Sequence, residues 1–230
     1  MKLLALFLIV FPINCFALTF SEIRSDARSL ITDAQGTRQR FSDSELNLWI
    51  NEGQRILDIK TLCNYKAFSF DLVAGTTYYS MPSDYLMIRR VTRDYQQIQE
   101  MSPAAMDGRS AEWENVSGLP TYYFTTFSSR AKVGFAPFPA VAADTATIKI
   151  EYMSQSTALS IDADVPFNGI TEFYPYHSAL SYYSAYKASL VDERYDRAKL
   201  FIESFNQIAE LMKNTCTQRP NYLPSAIGKQ

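Results

Sequence analysis

The chain has 230 residues, room for one ordinary domain or a domain with a tail, and 47% hydrophobic with 20% charged residues is the composition of a globular protein that buries its own core. A formal net charge of −2 gives no field able to gather nucleic acid or an anionic membrane, which disfavours direct sequence-reading DNA binding. Three cysteines, at 15, 63 and 216, are too scattered for a zinc site or a disulfide framework; Cys63 and Cys216 read best as buried free thiols, and can pair only in an oxidising compartment.

Residues 1–18 carry one positive charge, Lys2, the apolar run Leu3 to Phe11, and Ala17 as a plausible residue before a cleavage point, which is the pattern of a secretory signal peptide. The run is short for a membrane span, and Pro12 interrupts it. Bulky Asn14 stands where lipid attachment at Cys15 needs a small residue. Three readings stay open: an annotated start upstream of the true one, with initiation at Val10 or Leu18; a retained hydrophobic arm; or genuine export.

From Thr19 the period is helical. Ile23, Ala27, Leu30 and Ile31 share one face, Thr19 or Ser21 caps it, and Gly36 is expected to end it. Ser42-Asp43-Ser44-Glu45 is a capping-box signature before Leu46, Trp49, Ile50, Gly53 and Leu57, so a second helix runs to about Leu62 and the pair forms an αα-hairpin. Phe68, Phe70 and Leu72 then alternate with polar neighbours, and Ala74-Gly75-Thr76 predicts a hairpin back into Tyr78-Tyr79. Further strands are predicted at Leu86 to Thr92, Thr121 to Phe127, Ala131 to Ala136 and Thr145 to Met153, with a short helix from Ser102-Pro103 to about Gly108. Five or six strands make a small antiparallel sheet.

The last third is helical again. Phe173, His177, Leu180 and Ser184 share one face; Ala198, Phe201, Phe205, Ile208 and Met212 share another, and Asp192 is placed to cap that second helix. Beyond Cys216 come Pro220 and Pro224, with no acid after Glu210, and the segment reads as an extended basic tail. Helices, then strands, then helices make the fold class α+β: an N-terminal helical hairpin over 19–62, an inserted β region over 66–154, two helices over 172–213, and a tail over 214–230.

Candidate chemistry is sparse. The one histidine, His177, sits among tyrosines at a helix start, with no nucleophile elbow anywhere, and reads as a packed structural residue. Asp162 and Asp164 read as solvated loop acids, and the glycines form no phosphate-cradling run. No enzyme activity, metal or cofactor is expected. Fifteen Tyr and fifteen Phe supply flat apolar surface suited to cores and also to subunit interfaces.

Four pieces stand in a telling order: Phe41-Ser42-Asp43-Ser44-Glu45-Leu46 leading to Trp49-Ile50-Asn51-Glu52-Gly53-Gln54-Arg55; Tyr79-Ser80-Met81-Pro82-Ser83-Asp84-Tyr85; Trp113 followed by Gly118-Leu119-Pro120-Thr121-Tyr122; and Tyr176-His177-Ser178-Ala179-Leu180. Together, from about Thr19 to Met212, they resemble the head-to-tail adaptor (connector) family of tailed bacteriophages, including the tail tubular protein A-like adaptors; residues 1–18 depart from it. The resemblance implies a structural virion protein, assembled in the host cytoplasm, whose ring of usually twelve copies docks beneath the portal protein and carries the next tail or nozzle component. It further implies that the C-terminal tail reaches onto the portal, which makes Arg219, Tyr222, Leu223 and Lys229 the candidate portal or subunit contacts. The competing reading is an exported bacterial envelope protein with a binding role, periplasmic or secreted if residues 1–17 are cleaved.

Overall fold

Of the two caps offered by the sequence, Thr19 and Ser21, it is Thr19 that opens the first helix. Its side chain accepts from the Glu22 backbone N–H while the Glu22 carboxylate accepts from the Thr19 N–H, a full capping box at the head of α1 (Phe20–Ile31). The same device, Ser42 with Glu45, opens α2 (Asp43–Thr61). The structure, a computed structural model, describes residues 17–33, 39–110, 112–126, 129–139 and 146–217. The sequence places the end of α1 at Gly36, which lies outside these residues. The helix in fact stops at Ile31, because Thr32 turns left-handed (φ 57°) and donates its N–H back to the Arg28 and Ser29 carbonyls.

The remaining elements are β1 (Tyr65–Asp71), β2 (Tyr78–Ser80), β3 (Tyr85–Arg93), β4 (Gln96–Glu100), α3 (Pro103–Asp107), β5 (Tyr122–Thr126), β6 (Ser129–Ala136), β7 (Thr147–Ser154), α4 (Ser178–Val191) and α5 (Tyr195–Thr217). The chain divides into two units, one of residues up to 51 with 159–208, the other of 52–158 with residues from 209 on.

In the helical unit α1 lies chiefly against α4 rather than forming a simple hairpin with α2. The core between them holds Ile31, Phe41, Leu46, Trp49, Ala185 and Ala188, and the Trp49 ring meets Phe41 edge-on at 5.5 Å. Alanines on α4 leave space for these large side chains, and Ser181 donates to the Ile23 carbonyl at 3.3 Å. Arg28, almost fully buried, is held between Asp33 (2.5 Å) and Asp43 (2.6 Å), which answers its charge where water is scarce. The run Thr171–Tyr176 is a 3-10 turn holding Pro175, so α4 begins at Ser178, six residues later than the sequence reading put it. Asp192 ends α4 and pairs with Arg40 at 2.8 Å; it does not cap α5.

The β unit departs most from expectation. Its seven strands run in the order β1-β7-β3-β4-β5-β6-β2, all neighbours antiparallel except β4 and β5, which are parallel. The predicted hairpin between the Phe68 and Tyr79 strands does not exist: Gly75 (φ 79°) does turn the chain, but β1 pairs with β7 and β2 with β6, at opposite edges. The reason lies in the partners. β7 offers eight residues of matched alternation, with Phe68 opposite Ile150 and Phe70 opposite Ile148, whereas β2 has only three residues to offer. The sheet curls until its edges approach, and the Phe70 ring lies 4.8 Å from Tyr79 and 6.1 Å from Phe135, roofing a core of Val91, Ile98, Val133 and Ile148. Strand β4 escaped the sequence reading because only Ile98 of its five residues is apolar and buried.

On the other face of β5 and β6 a smaller cluster joins Met106, Phe124 and Ala136 to Met101 and Trp113. Gly134, opposite Phe124 on β6, has to lack a side chain: a Cβ there would lie 2.3 Å from the Phe124 ring. Within this unit α2 also grips the strand exit, since buried Asp58 accepts from the Ser156 N–H (2.7 Å) and hydroxyl (3.0 Å) and Gln54 donates to the Thr157 carbonyl (2.9 Å). Helix α5 runs to Thr217, beyond the boundary at 213 expected from the sequence. Cys216 continues the buried row of Phe205, Ala209 and Met212, and it is disulfide-bonded to Cys63. The reading of these two cysteines as free thiols is thereby corrected. No sequence rule brings together positions 153 residues apart.

Candidate assembly surfaces

His177 is fully buried, with its Nδ1 3.1 Å from the Leu18 backbone N, and burial lowers its pKa to about 4. It is a neutral imidazole that fastens Leu18, just before α1, to the head of α4. Asp162 and Asp164 do not act as a pair. Asp162 forms an ion pair with Arg24 at 2.8 Å, while Asp164 accepts from the Ile161 (3.0 Å) and Ser160 (2.6 Å) backbone N–H groups, which hold its carboxyl below the usual range. Among the described residues no three His, Cys, Asp or Glu side chains gather as a metal site, and no helix is long and apolar enough to cross a membrane.

The four candidate contacts named from the sequence, Arg219, Tyr222, Leu223 and Lys229, lie outside the described residues. The structure brings their point of departure into view. Thr217 ends α5 one residue after the Cys216 bridge, so whatever follows leaves from a covalently fixed place in the β unit.

The structure adds two surface features that sequence reasoning passed over. The Trp113 ring rests edge-on against Phe124 at 5.3 Å and its Nε1 donates to Asp107 at 2.7 Å. It also walls a hollow of about 170 Å³ lined by Met101, Met106, Val116, Tyr122 and Pro137, with Arg109 at the rim lying over the Tyr122 ring and donating to its hydroxyl at 3.0 Å. The second feature is Tyr95. With Asp94 it forms the two-residue loop between β3 and β4, both residues at positive φ (46° and 69°), and its side chain is 99% exposed. An Asp followed by a residue other than Gly, between two β runs, was the available signal, and the polar character of β4 hid it.

Compared with known protein families, residues 18–224 match the SU10 adaptor protein family, so the match opens just past the signal-like segment that departs from the adaptor pattern. No curated protein matches the chain. A match over nine-tenths of the sequence establishes membership: this chain belongs to the SU10 adaptor protein family, a family of bacteriophage structural adaptors.

Proposed function

We propose that the chain is the head-to-tail adaptor of its phage, forming a ring, of twelve copies by the resemblance, between the portal protein and the next tail or nozzle component. The family match across residues 18–224 supports this reading at the level of an adaptor, and the finer likeness to the tail tubular protein A-like adaptors rests on the ordered pieces around Trp49, Tyr79, Trp113 and His177. In this reading the segment after Thr217 lies on the portal, with Arg219 and Lys229 steering it towards an acidic surface and Tyr222 with Leu223 anchoring it in an apolar groove. The direct test is negative-stain imaging and light scattering of the purified chain, alone and mixed with its cognate portal. Rings, or portal particles crowned by an added layer, are expected; a strict monomer that ignores the portal overturns the reading.

The Cys63–Cys216 bridge favours a second reading, export, because disulfides persist in oxidising compartments and the first residues resemble a signal peptide. Terminal-peptide mass spectrometry separates the two. Residues 1–17 absent and the protein in the periplasm or medium of cells without virions supports export; the chain in purified virions supports the adaptor.

A further inference from the structure

We propose that Tyr95 of one copy seats its ring in the hollow beside Trp113 of the next copy, giving the ring a repeating, head-to-tail knob-in-hole contact; this rests on the adaptor reading above. A two-residue turn with both residues at positive φ favours Asn-Gly or Asp-Gly, because a Cβ in the left-handed region is strained. Here the second position holds Tyr at φ 69°, a bulky aromatic in the place where glycine fits best. Its side chain meets almost nothing in its own copy, being 99% exposed. A tight turn thus fixes in place an aromatic that packs against almost nothing among the described residues, and Tyr is among the side chains that dominate binding energy when they enter a desolvated pocket.

The hollow has the complementary shape. Its volume of about 170 Å³ is too small for an ordinary cofactor or drug-sized ligand and is close to that of cavities that take a single benzene ring. Trp113 and Tyr122 offer ring edges and faces, Met101 and Met106 offer adaptable apolar walls, and Arg109 and Ser110 at the rim offer polar partners to a phenol hydroxyl. Tyr95 stays out of the hollow of its own copy. Register places Tyr122, one wall, beside Gln99, four residues further along β4, and Met101 lies beyond the end of that strand. That is roughly 13 Å to the nearer wall at the rise of an extended strand, more than a tyrosine side chain spans. A knob and a hole on one chain, each beyond the reach of the other, form a heterologous pair, which is the contact type that closes into rings. The knob is the anchor of such an interface, whose remaining area, of order 800 Å² per partner, comes from the surfaces around it.

Two variants of the full chain test this. Tyr95→Gly suits the local φ and should fold at least as stably as the wild type, yet weaken self-association on the order of thirty-fold, as loss of an aromatic hot spot does. Val116→Trp fills the hollow from its exposed rim and should weaken association comparably. Each variant retains the half that the other lacks, so an equimolar mixture should give pairs in sedimentation velocity, while neither alone does. Several outcomes overturn the contact. One is Tyr95→Gly assembling as well as wild type. Another is Val116→Trp disrupting assembly while Tyr95→Gly leaves it intact, which would mean that some other segment, residues 218–230 included, occupies the hollow. A mixture that fails to pair is a third. A wild-type chain that stays monomeric both alone and on portal overturns the ring reading itself, and this contact with it.

Discussion

Cys63, two residues past the end of α2, is bonded through Sγ to Cys216 in the last turn of α5, and both are buried in the β unit. The bridge closes a loop of 153 residues, and closing so long a loop restricts the unfolded chain by up to about 5 kcal/mol in the chain-entropy account. A Cys63→Ser, Cys216→Ser double variant should therefore lose about 2 to 5 kcal/mol of unfolding free energy, read from urea midpoints without reductant. Virion surfaces count among oxidising environments and the host cytoplasm does not. In chain taken from infected cells before lysis Cys63 and Cys216 should thus both be alkylatable, and chain taken from released virions should give a bridged peptide pair. An unbridged pair in mature virions defeats this account.

Trp49 lies in the core of the helical unit, against Phe41 and beside Ile31, Ala185 and Ala188. Trp49→Ala should cost about 3 to 5 kcal/mol in chemical denaturation, as large aromatic deletions in cores do, and Trp49→Phe clearly less. A change below about 1 kcal/mol, the size typical of surface sites, would place Trp49 outside the core.

Asp58 makes the β unit sensitive to pH. Burial pushes its pKa up to about 6 despite the Ser156 hydrogen bonds, whereas an aspartate in the unfolded chain titrates near its ordinary value of 3.8. Between those values the folded protein keeps a proton that the unfolded chain has released. Stability from this group is therefore full below about pH 4 and falls as pH rises to 6, by about 3 kcal/mol in all. Asp58→Asn preserves the shape, since the amide oxygen can still accept from the Ser156 N–H, and removes the titration. Its advantage over wild type should be near zero at pH 3.5 and grow to about 2 to 3 kcal/mol at pH 7. A pH-independent difference, from urea titrations at several pH values, would refute the assignment.

What the sequence revealed and what it hid divide along one line. The capping box at Ser42, a cap at Thr19 as one of two candidates, the Ser102-Pro103 helix start and the row from Ala198 to Met212 are written within a few residues, and each stands where it was expected. The pairing of Phe68 with Ile150, the curl that brings Phe70 over Tyr79, and the Cys63–Cys216 bridge depend on partners far away in sequence, and nothing near these residues names the partner. Hence a nearby turn at Gly75 suggested a hairpin that the longer, better matched β7 prevents. Asn51, Gln54 and Asp58 are similar. On α2 they look like the wet face of an amphipathic helix, yet Gln54 and Asp58 are buried by the chain around Ser156 that they bind. The family pattern was legible because it consists of short local pieces in a fixed order, whereas the hollow at Trp113 is a property of packing alone.

The last prediction concerns the segment after Thr217, where the exact cut decides what the experiment measures. A deletion from residue 214 onward, natural if the tail began where the apolar row seemed to stop, would remove Cys216 with the last turn of α5 and unfasten the bridge; it should destabilise the protein for reasons unrelated to the portal. A deletion of 218–230 leaves the helix, the bridge and every described contact in place. It should keep the thermal midpoint within a degree or two and abolish co-sedimentation with purified portal, if this segment is the docking element. Point changes then divide the work. Tyr222→Ala with Leu223→Ala removes the proposed anchor and should raise the dissociation rate, whereas Arg219→Glu with Lys229→Glu reverses the proposed steering and should slow association and flatten its salt dependence. Portal binding that survives the 218–230 deletion undiminished assigns docking to another surface of the chain.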